Sequence, residues 1–143
     1  MNYPRQIVIL VVLCLVAILS VSKLTKATGT IGKDDLSGVW VATLTGDTGC
    51  GISTSHVVFD LNTAGSGPVT IQSHTSGCGN STSTGQTFTI TSMNPTGLGT
   101  AGLTCGTGCG FTFDIQASPD RATFSLVDIT DPGNFLEGVA IHQ

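Results

Sequence analysis

From residue 37 onward, apolar and polar residues alternate in short runs. Val57, Phe59 and Leu61 would share one face of an extended segment, with His56 and Asp60 opposite. Phe88 and Ile90 alternate with Thr87, Thr89 and Thr91, and Phe111, Phe113 and Ile115 with Thr112, Asp114 and Gln116. Ala122, Phe124 and Leu126 alternate with Thr123 and Ser125. A period of two with threonine on the wet side marks half-buried antiparallel strands. Segments 38–44, 68–73, 98–104 and 135–142 complete a set of about eight. Ser118-Pro119-Asp120-Arg121 suits a type I turn and Asp131-Pro132-Gly133-Asn134 a type II turn. Segment 119–129 also carries a helix-start signal in Ser118 and Pro119, but its alternation favours a strand. The fold class expected is all-β: a small antiparallel meander barrel or sandwich.

The beginning of the chain has a different texture. Residues 7–19 read IVILVVLCLVAIL, thirteen apolar residues without a break, after a short polar head carrying Arg5. This is the layout of a secretory signal helix, shorter than the ~20 residues that span a bilayer comfortably. Ser20-Val21-Ser22 offers small residues for cleavage, and Thr25-Lys26-Ala27 is a poorer second choice. An uncleaved anchor is the alternative, although Lys23 and Lys26 lie on the far side of the segment and argue against it. The domain organisation expected is therefore 1–22 signal peptide or anchor, 23–36 flexible tether and 37–143 β domain. Either reading exports the domain to the periplasm, the cell surface or the medium, with the membrane touched only through the first segment.

Cysteine usage agrees with export. With Cys14 inside the signal, Cys50, Cys78, Cys105 and Cys109 remain, an even number in a small exported domain. Three connectivities are possible. Cys50–Cys78 with Cys105–Cys109 is favoured because it joins neighbours along the chain, and the intervening Gly-Thr-Gly can bend. The spacing lacks the paired short-range ligands of a zinc site. Thr-Gly-Cys-Gly occurs at 48–51 and at 107–110, with Ser-Gly-Cys-Gly at 76–79. Glycine beside each cysteine gives loop tips the freedom to reach one another.

Charge narrows the partners. From Ser37 onward Arg121 is the sole cation, against Asp47, Asp60, Asp114, Asp120, Asp128, Asp131 and Glu137. Such a domain cannot present the basic stripe that phosphate backbones require, so no nucleic-acid partner is expected.

Candidate chemistry is sparse. Asp47-Thr48-Gly49 matches the triplet of aspartic proteases, but the flanking residues do not, and a loop aspartate is the simpler reading. His56, His74 and His142 have no short-range pairing, so no metal site and no cofactor are expected. Asn80-Ser81-Thr82 has the form of a glycosylation sequon. Glu137 is the chain's single glutamate, in a strand with Phe135, Val139 and Ile141 on its own face. If that face turned inward, Glu137 would be a desolvated polar anchor of a ligand cavity. The simpler alternative turns Leu136, Gly138 and Ala140 inward.

Leu36-Ser37-Gly38-Val39-Trp40 resembles the Gly-x-Trp opening of the calycin group, the lipocalins and avidins. The resemblance implies an eight-stranded barrel with Trp40 plugging one end. It also implies an arginine packed over that indole, for which Arg121 is the sole counterpart, one strand early. It does not extend to a biotin site, because the domain has Trp40 alone and no tyrosine. Trp40 and Glu137 are thus the candidate ligand-binding residues, and Phe59, Phe88, Phe111, Phe113 and Phe124 the candidate cavity lining. The function expected is non-enzymatic: an exported barrel holding a small apolar ligand or acting with envelope components. A structural or adhesive surface protein is the alternative, and a small secreted hydrolase the third.

Overall fold

The structure is a computed structural model that describes residues 29–104, 110–130, 133 and 135–143. The signal segment, Cys105, Cys109 and most of the 131–134 turn lie outside the described residues. Eight strands follow in order: β1 (Gly38–Asp47), β2 (Ile52–Leu61), β3 (Ser66–Thr75), β4 (Gly79–Met93), β5 (Leu98–Thr104), β6 (Gly110–Ala117), β7 (Thr123–Asp128) and β8 (Phe135–His142). Each pairs antiparallel with the next, and β8 returns to β1 to close the barrel. Closure satisfies the backbone of the first and last strands, which would otherwise be open edges.

The alternation places most of the residues as expected, except that Ala122 is exposed ahead of β7 and Phe111 is half-buried. Val57, Phe59, Leu61, Phe88, Ile90, Phe113, Ile115, Phe124 and Leu126 are all buried inside. Four rings fill the half of the barrel that contains the start of β1. Trp40 meets Phe124 at 4.6 Å, and Phe59 meets Phe88 at 4.7 Å and Phe124 at 5.9 Å between ring centroids. The Trp40 Nε1–H donates to the Leu36 carbonyl at 2.8 Å, so the indole is buried without an orphaned donor.

Three turns close this end. Asn62 and Asn94 each fold a side-chain oxygen back onto backbone N–H groups two and four residues on. The third turn uses the Ser118 hydroxyl, which accepts from the Thr123 N–H. In each, the N–H of the fourth residue bonds the first carbonyl: Gly65 to Asn62, Gly97 to Asn94, Arg121 to Ser118. Gly65, Gly97 and Arg121 all have positive φ, 75°, 83° and 60°. Arg121 therefore occupies a left-handed position that the two sister turns give to glycine.

The segment before β1 explains that choice; of the expected tether, 23–36, the structure describes residues 29–36. Residues 29–37 lie across the closed end as a strap. Ile31 and Leu36 are buried, and Asp34–Leu36 form a 3-10 turn. The strap is fastened to all three turns. Lys33 packs over Gly65 and donates to the Thr91 carbonyl. The Ile31 N–H donates to the Pro95 carbonyl beside Gly97. Arg121 pairs with Asp35 at 3.0 Å and donates to the Thr30 carbonyl at 3.2 Å. The hydrophobic pattern hid this because only two apolar side chains in the strap reach the core.

Arg121 thus holds the strap and does not cover Trp40. His142 takes that place, stacked on the indole at 4.7 Å. Gly38 is tied to this arrangement: its φ is +123°, and a Cβ there would lie 2.5 Å from His142 Nε2.

Candidate functional site

The opposite end of the barrel is built differently. The β1–β2 and β3–β4 loops rise there, and Cys50 is disulfide-bonded to Cys78 across them. This is the first of the two expected pairs, and it is consistent with an oxidising environment. Strand β4 outruns β5: its pairing with β3 starts at Gly79, whereas its pairing with β5 starts at Thr87. Beneath the overhang lies a cavity of about 320 Å³, at the small end of the ~300–1,000 Å³ range of ligand pockets.

Two chemically distinct walls face each other across it. One is a grid of hydroxyls on three adjacent strands. Ser53 and Ser55 come from β2, Ser73 and Thr75 from β3, Ser81 and Ser83 from β4. Register aligns them: Ser53 opposes Thr75, Ser55 opposes Ser73, and Ser73 opposes Ser81. Neighbours across strands are ~5 Å apart and successive inward residues along a strand ~7 Å apart, so the grid spacing follows from the sheet itself. The other wall is apolar, made by Leu44 of β1, Leu103 of β5, Phe111 of β6 and Leu136 of β8. Among the described residues, none lining the cavity is charged.

Most of these hydroxyls are engaged. Ser55 and Ser73 share a hydrogen bond of 3.0 Å. The Thr75 hydroxyl accepts from the Cys78 N–H and donates to the Gly79 carbonyl, which ties the loop beside the disulfide. Ser83 accepts from the Gln86 amide at 2.7 Å. Ser53 differs: it is 1% exposed, and its Oγ has no hydrogen-bond partner among the described residues. A buried hydroxyl left unpaired costs about 1–3 kcal/mol.

Neither expected ligand-binding residue reaches this cavity. Trp40 is sealed in the closed end. Glu137 lies exposed on the outer face of β8, opposite Thr45 and Val127, while Leu136 and Ala140 point inward. The reason is the register of β8: Leu136 must turn inward to pack, and a period of two then turns Glu137 out. Of the five phenylalanines expected to line a cavity, only Phe111 does. Phe59, Phe88, Phe113 and Phe124 are packed solid.

The remaining candidates also find structural places. Asp47 Oδ1 accepts from the Gly49 N–H at 2.8 Å and shapes the β1–β2 loop. His56 and His74 lie on the outer faces of β2 and β3, and His74 bonds Asn80. His142 is at the far end against Trp40. Among the described residues no three His, Cys, Asp or Glu side chains gather into a metal-binding group.

Sequence reasoning missed the hydroxyl wall. Ser53, Ser55, Ser73, Ser81 and Ser83 alternate correctly, but serine at an inward position reads as solvent-facing. The available signal was continuity: Ser53 and Ser55 continue the inward series of Val57, Phe59 and Leu61 backward along the same strand. The chain matches no protein-family model and no curated protein.

Proposed function

We propose that this protein is an exported, non-enzymatic binding barrel that holds a small, uncharged, largely apolar molecule in the cavity at its open end. The observation that carries the reading is the cavity itself: about 320 Å³ between an apolar wall and a hydroxyl wall, under loops pinned by Cys50–Cys78. A barrel that served only as a structural plug would fill this space with side chains, as the other half does. The Gly38-Val39-Trp40 opening and the closed eight-stranded meander are compatible with the calycin group, whose barrels hold ligands at an open end. Export rests on the 7–21 segment and agrees with the disulfide.

The test is native mass spectrometry of protein isolated from its own host. A reproducible added mass, lost on denaturation, is expected. It should also be missing from Ser73→Phe, whose ring would occupy the cavity from a half-buried position. A bare monomer in both would sink the reading.

A second reading, a structural protein of the cell surface, draws support from the outer face of β7, β8 and β1. Val39, Val127, Val139 and Ile141 are all exposed there, and Ile141 sits directly opposite Val41. A ladder of oligomers without added mass in the same experiment would favour it.

A further inference from the structure

We infer that the ligand class is a neutral ring compound bearing one oxygen or amide group, with Ser53 as the residue that selects it. This rests on the reading of the cavity as a ligand site. Its own support is the distribution of hydrogen bonds along the hydroxyl wall. Thr75, the register partner of Ser53, already uses its hydroxyl for both the Cys78 N–H and the Gly79 carbonyl. Its one proton is committed to Gly79, and it makes no bond to Ser53. Ser55 is turned toward Ser73, and Ser83 toward Gln86. Ser81 is open to solvent. Of the hydroxyls on this wall, Ser53 is the one that is both buried and unbonded.

A serine hydroxyl donates one hydrogen bond and accepts others, so it serves a carbonyl, an alcohol or an amide equally. It cannot balance a full charge. Nor can any other described residue on the cavity wall, so a carboxylate or ammonium would enter desolvated and unpaired. The apolar wall of Leu44, Leu103, Phe111 and Leu136 then takes the hydrocarbon body. Phe111 lines the cavity and offers an aromatic contact to a flat partner. The arrangement discriminates in one direction: a site built around a buried hydroxyl rejects the analogue that leaves it unpaired.

Three probes sharing one frame separate the possibilities: naphthalene, 2-naphthol and 2-naphthoate, titrated at pH 7 against the full-length chain by calorimetry. The expected result is 2-naphthol binding about tenfold tighter than naphthalene, with 2-naphthoate weakest. Ser53→Ala should abolish the advantage of 2-naphthol and leave naphthalene unchanged, so naphthalene also reports that the variant is folded. Ser53→Thr, which restores a hydroxyl, should recover part of the difference. Equal binding of naphthalene and 2-naphthol, or an equal loss of both in Ser53→Ala, would overturn the inference and leave the binding function standing. Tightest binding of 2-naphthoate would overturn the neutral class. Binding of none of the three to the folded wild type would count against both.

Discussion

The imidazole of His142 lies stacked on the indole of Trp40, with centroids 4.7 Å apart and planes 20° from parallel. The two residues are register partners where β8 closes onto β1, so the contact seals the barrel seam at its packed end. Gly38 makes room for it. Gly38→Ala should therefore destabilise in two ways, through its φ of +123° and through displacement of His142. His142→Ala alone should cost about 1 kcal/mol, the usual worth of an aromatic contact. The double variant should be less destabilised than the sum of the two, because the steric part vanishes with the imidazole. Urea denaturation of the four proteins measures this, and strict additivity would refute the coupling.

Arg121 sets backbone strain against tertiary bonds. Its left-handed φ of 60° disfavours any residue with a Cβ, while its guanidinium ties Asp35 and Thr30. Arg121→Ala keeps the strain and loses the ties, whereas Arg121→Gly loses both. Arg121→Gly should thus be more stable than Arg121→Ala by about 1 kcal/mol. The reverse order in thermal melts would contradict the strain.

Acid should loosen the strap before it melts the barrel. The Gly32 N–H bond, and after it the Arg121 guanidinium, hold the Asp35 carboxyl below its ordinary value of 3.8. A depressed folded-state pKa contributes stability that is present above 3.8 and lost as pH falls through the lower folded value. Asp35 is solvent-exposed, so the effect is local. Amide exchange at Gly32 and Ile31 should accelerate selectively below that pH. In Asp35→Asn that acceleration should be absent.

The Cys50–Cys78 disulfide closes a loop with a sequence separation of 28. Replacing both cysteines with serine should cost about 3 kcal/mol. Because β2 and β3 remain paired, the barrel should stay folded while the cavity widens. The denaturation midpoint and the affinity for 2-naphthol together test this: a lower midpoint with unchanged affinity would mean the disulfide does not shape the cavity.

How far the sequence can be read differs between the two halves of the barrel. In the packed half, Phe59, Phe88 and Phe124 alternate with threonines and polar residues, and hydrophobic period reports burial directly. In the open half the inward residues are serines, and the same period carries no such signal. That is why β4 is legible only from Thr87, although it begins at Gly79. It is also why Ser53 was passed over while Glu137 was singled out. Glu137 was conspicuous by residue type, but its side is decided by the packing of Leu136 and Ala140. The strap was illegible for another reason: it is held by a backbone bond from Ile31, by Lys33 and Arg121 donating to carbonyls and by the Arg121–Asp35 pair, and no hydrophobic period announces those.

Because β1 starts and β8 ends at the strapped end, Gly29 lies at the pole opposite the cavity, and the segment of the chain ahead of it is joined there. A surface, bead or reporter attached through that segment would hold the molecule with its mouth outward. Immobilising the protein by its N-terminal side should leave ligand exchange unhindered, whereas a bulky label on the Ser76–Gly77 loop would stand in the doorway.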